Sequence, residues 1–192
     1  MKHFTRIVFA TYCALGLAAL TQAAVETYKI DPVHSSVGFS IRHFFTNVPG
    51  VFTKFSGVIT VDRDHIENSS VTATIEVPSV DTRTDKRDNH LRSPDFFDAV
   101  KFPVMTFKSV AWKQTGEGTF DITGNLTIKD VTKPVVLKTK LLGFGPGMQG
   151  AMLSGWEATA TLNRNDFGIT TFPKMLGDDV AVTISVEADQ QK

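Results

Sequence analysis

Apolar and polar side chains alternate along most of this chain. Val37, Phe39 and Ile41 alternate with Ser36, Gly38, Ser40 and Arg42, and Val71, Ala73, Ile75 and Val77 alternate with Thr72, Thr74 and Glu76. The same period recurs in Phe120, Ile122, Gly124, Leu126 and Ile128, in Trp156, Ala158, Ala160 and Leu162, and in Val180, Val182, Ile184 and Val186. Successive strand side chains point to opposite faces, so one apolar face per segment predicts half-buried strands. Weaker alternation at 25–30, 52–61, 104–112 and 134–144 brings the expectation to eight or nine strands. Turn chemistry separates them at Asp62-Arg63-Asp64, at Gly116-Glu117-Gly118 and across 143–150, with no helical crossover long enough for parallel pairing. The expected fold class is all-β, an antiparallel barrel or sandwich.

The parity of the alternation selects the residues that line or fill the interior: Phe39, Ile41, Ile59, Ile75, Phe107, Ile122, Leu126, Trp156 and Ile184. A one-residue slip would turn all of them to solvent. Composition sharpens this expectation, because 15 Phe stand against two Tyr and two Trp. So many purely apolar rings fill a core or line an apolar cavity.

One stretch breaks the rhythm. Residues 81–94 read as a short helix with Thr84 as N-cap, Asp85 in the first turn, an Asp88–Arg92 pair and Pro94 ending it. Phe96 and Phe97 follow, a pattern suited to a helix lying over or beside a barrel mouth. Helical spacing puts Arg83, Arg87 and His90 near one face, where a phosphate or carboxylate headgroup would find donors. The alternating charges of 81–98 equally describe a solvated, self-paired face. His43 shares its face with Val37, Phe39 and Ile41 and is expected at the mouth, as a headgroup contact or as a cap on a backbone group at the strand end.

No catalytic constellation emerges. The sequence has no Gly-x-Ser-x-Gly elbow and no phosphate-cradling glycine loop opening a helix. His34 and His43 bracket one strand, but their odd separation spans roughly 30 Å and sends the rings to opposite faces, so no shared metal is expected. No other His or Cys spacing suggests one.

At the N-terminus, Lys2 and Arg6 precede an apolar run from Ile7 to Leu20 that gives way to Ala23 and Ala24. The run is shorter than the roughly 20 residues a spanning helix needs, so residues 1–23 read as a signal peptide cleaved after Ala23, with Ala24 as the alternative. Cys13, the single cysteine, lies inside this run behind Tyr12, which argues against a lipoprotein anchor. Its removal leaves an exported chain, residues 24–192, that cannot form disulfides. The 20 basic and 20 acidic residues balance before Lys2 and Arg6 are lost, so no basic face recommends nucleic acid as a partner.

Several motifs stand in order: Tyr28-Lys-Ile-Asp-Pro-Val-His34-Ser35, Val80-Asp-Thr-Arg83, Arg87-Asp-Asn-His-Leu-Arg-Ser93, Asp95-Phe-Phe-Asp98, Ile122-Thr-Gly-Asn-Leu-Thr127, Val131-Thr-Lys-Pro-Val135 and Asp166-Phe-Gly-Ile169. Together they resemble the YceI-like family across essentially the whole of residues 24–192. The resemblance implies one domain, a lipocalin-like antiparallel eight-stranded barrel with one short helix near a barrel end. It further implies export to the periplasm and binding of a polyisoprenoid, an isoprenoid quinone or a fatty-acid-like amphiphile. No catalytic residue, cofactor, metal or stable membrane anchor is expected, and a homodimer is admitted. Asp130 departs from the family pattern, in which many relatives have Gly before Val-Thr-Lys-Pro. Because folds host many functions, a periplasmic accessory or interaction protein without a carrier role stands as the alternative, and a hydrolytic or isomerising enzyme as a third reading.

Overall fold

The computed structural model describes residues 25–191. The expected signal peptide, Cys13 included, lies outside them. Eleven strands form one antiparallel sheet: β1 (Glu26–Ile30), β2 (Ser36–His43), β3 (Thr46–Phe52), β4 (Phe55–Val61), β5 (Ser70–Glu76), β6 (Val80–Asp81), β7 (Val104–Gly116), β8 (Thr119–Ile128), β9 (Val131–Pro146), β10 (Met152–Asn163) and β11 (Leu176–Gln190). A β1–β11 pairing closes the sheet.

The eleven strands trace an eight-stranded barrel. β1 and β2 run in one direction along β11, β1 against 188–190 and β2 against 176–185. On their other side they meet β4 and β3 in the same way. So β1 with β2, β3 with β4, and β5 with β6 are single strands interrupted at 31–35, 53–54 and 77–79. Side chains suture the interruptions where ladder bonds are lost. Ser35 Oγ donates to the Glu187 carbonyl at 3.1 Å and accepts from the Glu187 N–H at 3.0 Å. Ser79 Oγ donates to the Glu76 carbonyl and accepts from the Lys54 N–H at 3.0 Å.

This corrects the strand reading in two places. The segments 25–30 and 37–41 are halves of one strand, and β3 went unrecognised because Pro49 and Gly50 mask its alternation. Gly50 is required there, since a Cβ would lie 2.3 Å from the Phe39 ring.

Each strand is antiparallel to its neighbour in sequence, so the connections sort into two ends. At the upper end lie the Phe44-Phe45 turn, the 82–103 excursion carrying α1 (Asp85–Arg92), the Lys129-Asp130 turn and the 164–175 loop. The lower end holds 62–69, 117–118 and 147–151. Thr84 is the N-cap position of α1, as expected, and the helix ends at Arg92. The expected Asp88–Arg92 pair does not form. Asp88 is buried and accepts from the Thr82 N–H at 2.8 Å and from the Thr82 hydroxyl. Arg92 instead donates to the carbonyls of Pro78 and Val80 and to Asn89. The helix is thus tied to β6 through Arg92 and to Thr82, just beyond that strand, through Asp88.

Two bulges re-aim side chains in the lower half. On β7 the register with β8 skips Val110, so inward parity passes from Met105 and Phe107 to Trp112. On β9 it skips Leu142 opposite Gly155 and Trp156, which turns Phe144 inward beside Leu141. A bulge adds one residue to one strand and so exchanges its faces.

Candidate ligand-binding site

A cavity of about 450 Å³ occupies the barrel interior. That lies within the roughly 300–1,000 Å³ of ordinary small-molecule pockets. All nine inward positions chosen by parity border it, and its wall is almost wholly apolar. From Trp156 to Leu162, both on the wall, seven residues of β10 run about 20 Å along the strand.

The floor, at the lower end, is aromatic. Trp112 and Trp156 meet edge to face at 5.8 Å and 89°, and Phe120 lies 6.1 Å from Trp112 and 6.2 Å from Trp156. Phe144 meets Trp156 at 5.8 Å and 87° and Tyr28 at 5.7 Å. Behind Phe144 the Arg63 guanidinium lies 3.8 Å over the ring, donates to Glu26 and Tyr28, and so closes the lower end from outside. Burial, reinforced by its hydrogen bond to Glu26, raises the Tyr28 pKa. Burial pulls the Arg63 pKa down, but its bonds to Tyr28 and Glu26 outweigh that and hold it above the ordinary value. The indole N–H groups of Trp112 and Trp156 are buried with no protein acceptor.

At the mouth, the structure gathers three of the four expected headgroup residues. His43, Arg87 and His90 border the cavity. Arg83 does not: it precedes the helix in a left-handed conformation (φ 62°), its N–H donates to Asp81, and its side chain borders a polar groove outside the barrel. The i, i+4, i+7 spacing failed because the helix starts one residue beyond Thr84. Arg87 donates to the Thr82 hydroxyl and carbonyl at 2.6 Å each and to Thr84, and His90 bonds Asp95 at 2.9 Å. The His90 ring also meets Phe96 and Phe172 edge-on.

Sequence reasoning missed Arg164, a buried cation on the cavity wall. It donates to the carbonyls of Gly177, Ile169 and Thr171, reaches Asp178 at 3.3 Å, and so folds the 164–175 loop over the mouth. The only available signal was a lone basic residue just beyond an alternating strand. On the outer wall, Asp31, His34 and Glu187 bring one ligand atom each within 4.8 Å of one another. His34 bonds Asp31 at 2.6 Å, which lowers the Asp31 pKa and raises that of His34. A search for His and Cys spacing could not find this group, because Glu187 comes from the far end of the chain.

Among the described residues no helix is long and apolar enough to cross a membrane. Residues 28–188 match the YceI-like domain family. Protein YceI of Salmonella agona is 40% identical over 185 residues, covering 95% of this chain and 96% of that protein. The YCEI protein of Campylobacter jejuni has the same fold, with a TM-score of 0.72 at 35% identity over 77% of this chain and 88% of its own. A polyisoprenoid binding domain from Saccharophagus degradans superposes with a TM-score of 0.66 at 12% identity, over 85% of this chain and 98% of that domain, a likeness of fold alone. By its motifs, its closed barrel and these matches, the chain belongs to the YceI-like family.

Proposed function

We propose that this protein is an exported carrier that holds a long-chain isoprenoid or similar amphiphile in its barrel lumen, for storage, transport or sequestration in the periplasm. One observation carries the reading: a deep, apolar cavity open at one end of a barrel whose other end is sealed. The polyisoprenoid-binding neighbour of the same fold supports it. Nothing in the lumen suggests chemistry on the ligand, since its titratable groups cluster at the mouth, where Arg87 and His90 are already engaged in bonds within the protein. We assign His43, Arg87 and His90 to the rim around the entrance and the nine apolar positions to contact with the chain.

Burying one CH₂ contributes about 0.8 kcal/mol, against roughly 0–1 kcal/mol for an exposed ion pair. Tail length therefore outweighs headgroup charge. Organic extraction of the purified protein followed by mass spectrometry is the direct test, with a stoichiometric long-chain lipid expected. In titrations below the micelle concentration, removing one isoprene unit should weaken binding far more than several hundred millimolar salt. Affinity that is steeply salt-dependent and indifferent to tail length would end the carrier reading.

A further inference from the structure

Among the described residues three buried side-chain donors have no protein partner, the Ser154 hydroxyl and the indole N–H groups of Trp112 and Trp156, and of these only the two indoles border the cavity. Trp112 and Trp156 are each 4% exposed, both border the cavity, and no protein group accepts from either Nε1–H. Buried donors of this kind are rare, because each forfeits its bonds to water. Their mutual edge-to-face contact at 89° offers them only aromatic faces, far weaker acceptors than oxygen. The mouth shows the opposite condition, since Arg87, His90 and Arg164 are already bonded to protein oxygens.

We propose that the lumen binds its ligand polar end first, with a neutral carbonyl or hydroxyl oxygen on the floor accepting from Trp112 and Trp156 and the chain running toward the mouth. This rests on the lumen being a lipid site and adds the ligand's orientation and chemical class. The oxygen must be neutral, because the cavity floor has no cation to pair with an anion. Arg63 lies behind Phe144 and is bonded to Glu26 and Tyr28, while Arg87 and Arg164 belong to the upper end. An unpaired carboxylate or phosphate there would meet a prohibitive desolvation cost. The two indoles also present aromatic surface against which a ring that carries the oxygen could pack. Among the expected ligands this favours isoprenoid quinones and alcohols over phosphorylated isoprenoids and fatty acids.

The chain has two tryptophans in all, so its two indole N–H resonances report on the floor alone. The probes are 2-decanone, 1-decene and decanoate, delivered from cyclodextrin to the delipidated protein at pH 8. The ketone should shift both indole protons downfield and bind up to about tenfold more tightly than the alkene, the range of one net hydrogen bond. Decanoate should bind more weakly than the ketone. Trp156→Phe should weaken ketone binding more than alkene binding and so remove most of the ketone's advantage. Equal affinity and equal shifts for ketone and alkene would overturn the proposal, and so would ketone binding that leaves both indoles unmoved. If neither neutral probe displaces a lumen-bound fluorescent lipid, it is the lumen reading itself that fails. Should Trp156→Phe not fold, the wild-type spectra decide alone.

Discussion

At the lower end of the barrel the tight turns enter left-handed backbone at glycines, Gly118 and Gly150, whereas at the upper end only Gly168 does so beside Phe44, Arg83, Asp98, Lys129 and Phe172. Among the described residues, all five positive-φ residues with side chains lie at the upper end. An L-residue in that conformation costs roughly 1–2 kcal/mol, while glycine adopts it freely. The aromatic rings divide in the same way. Aromatic rings at the lower end are packed into the floor, but the exposed large aromatics, Phe44, Phe45 and Phe172, all belong to the upper end. Left-handed backbone at residues with side chains and exposed aromatic rings concentrate where the cavity opens, as expected of a functional rim on a stable base.

The largest expected effect tests that division directly. Trp156→Ala should destabilise the protein by about 3–5 kcal/mol, the range for truncating a large buried ring. Phe172→Ala, half exposed at the mouth, should cost about 1 kcal/mol. Urea unfolding of both variants gives the comparison, and equal losses would abolish the distinction between base and rim.

A smaller effect is expected midway up the wall. At Gly124 a Cβ would lie 2.3 Å from the Phe107 ring. Gly124→Ala should therefore force Phe107 further into the lumen, cost about 1–3 kcal/mol as overpacking does, and lower the ligand capacity together with the stability. Unchanged capacity measured by displacement of a bound probe would show that Phe107 yields outward instead.

How far these features were legible follows from their physics. Inward parity was readable wherever strands stay regular, which is why the positions from Phe39 to Ile184 all border one cavity. Trp112 and Phe144 could not be assigned, because bulges at Val110 and Leu142 reverse parity and alternation carries no mark of them. β3 was hidden because Gly50 is an inward position left empty for the Phe39 ring. The helix was placed correctly, but the partners of Asp88, Arg92 and Arg83 were not. Apart from Asn89, those partners, Pro78, Val80, Asp81 and Thr82, lie outside the helix, whereas helical spacing registers only the helix's own neighbours.

Exchanging the turn residues between the ends sharpens the comparison further. Lys129→Gly, at φ 57°, should stabilise the protein by about 1 kcal/mol. Gly118→Ala, at φ 63°, should destabilise it by a similar amount. Thermal or urea unfolding checks the signs. A destabilising Lys129→Gly would mean that the lysine side chain makes up for its backbone strain.

The smallest effect concerns the place where base and rim join. The 31–35 interruption lies between β1, which belongs to the lower half, and β2, which belongs to the mouth, and the His34–Asp31 pair bridges it on the outer wall. Asp31 also accepts from the Val33 N–H at 2.8 Å, so the pair fixes the turn that restarts the strand. His34 has its pKa raised above 6.5 by Asp31, so its contribution is complete below 6.5 and is lost as pH rises through the raised value. Asp31 has its pKa lowered beneath 3.8 by His34, so its contribution is present above 3.8 and is lost as pH falls through the lowered value. The pair is therefore strongest between these limits, in mildly acidic solution. Because His34 is largely exposed, solvent screens the interaction and its effect on global stability is small. The difference in unfolding midpoint between wild type and His34→Ala should be greatest near pH 5 and shrink toward pH 8. A difference that instead grows with pH would mean that neutral His34 holds the turn by its hydrogen bond alone. The junction between base and rim would then be indifferent to charge.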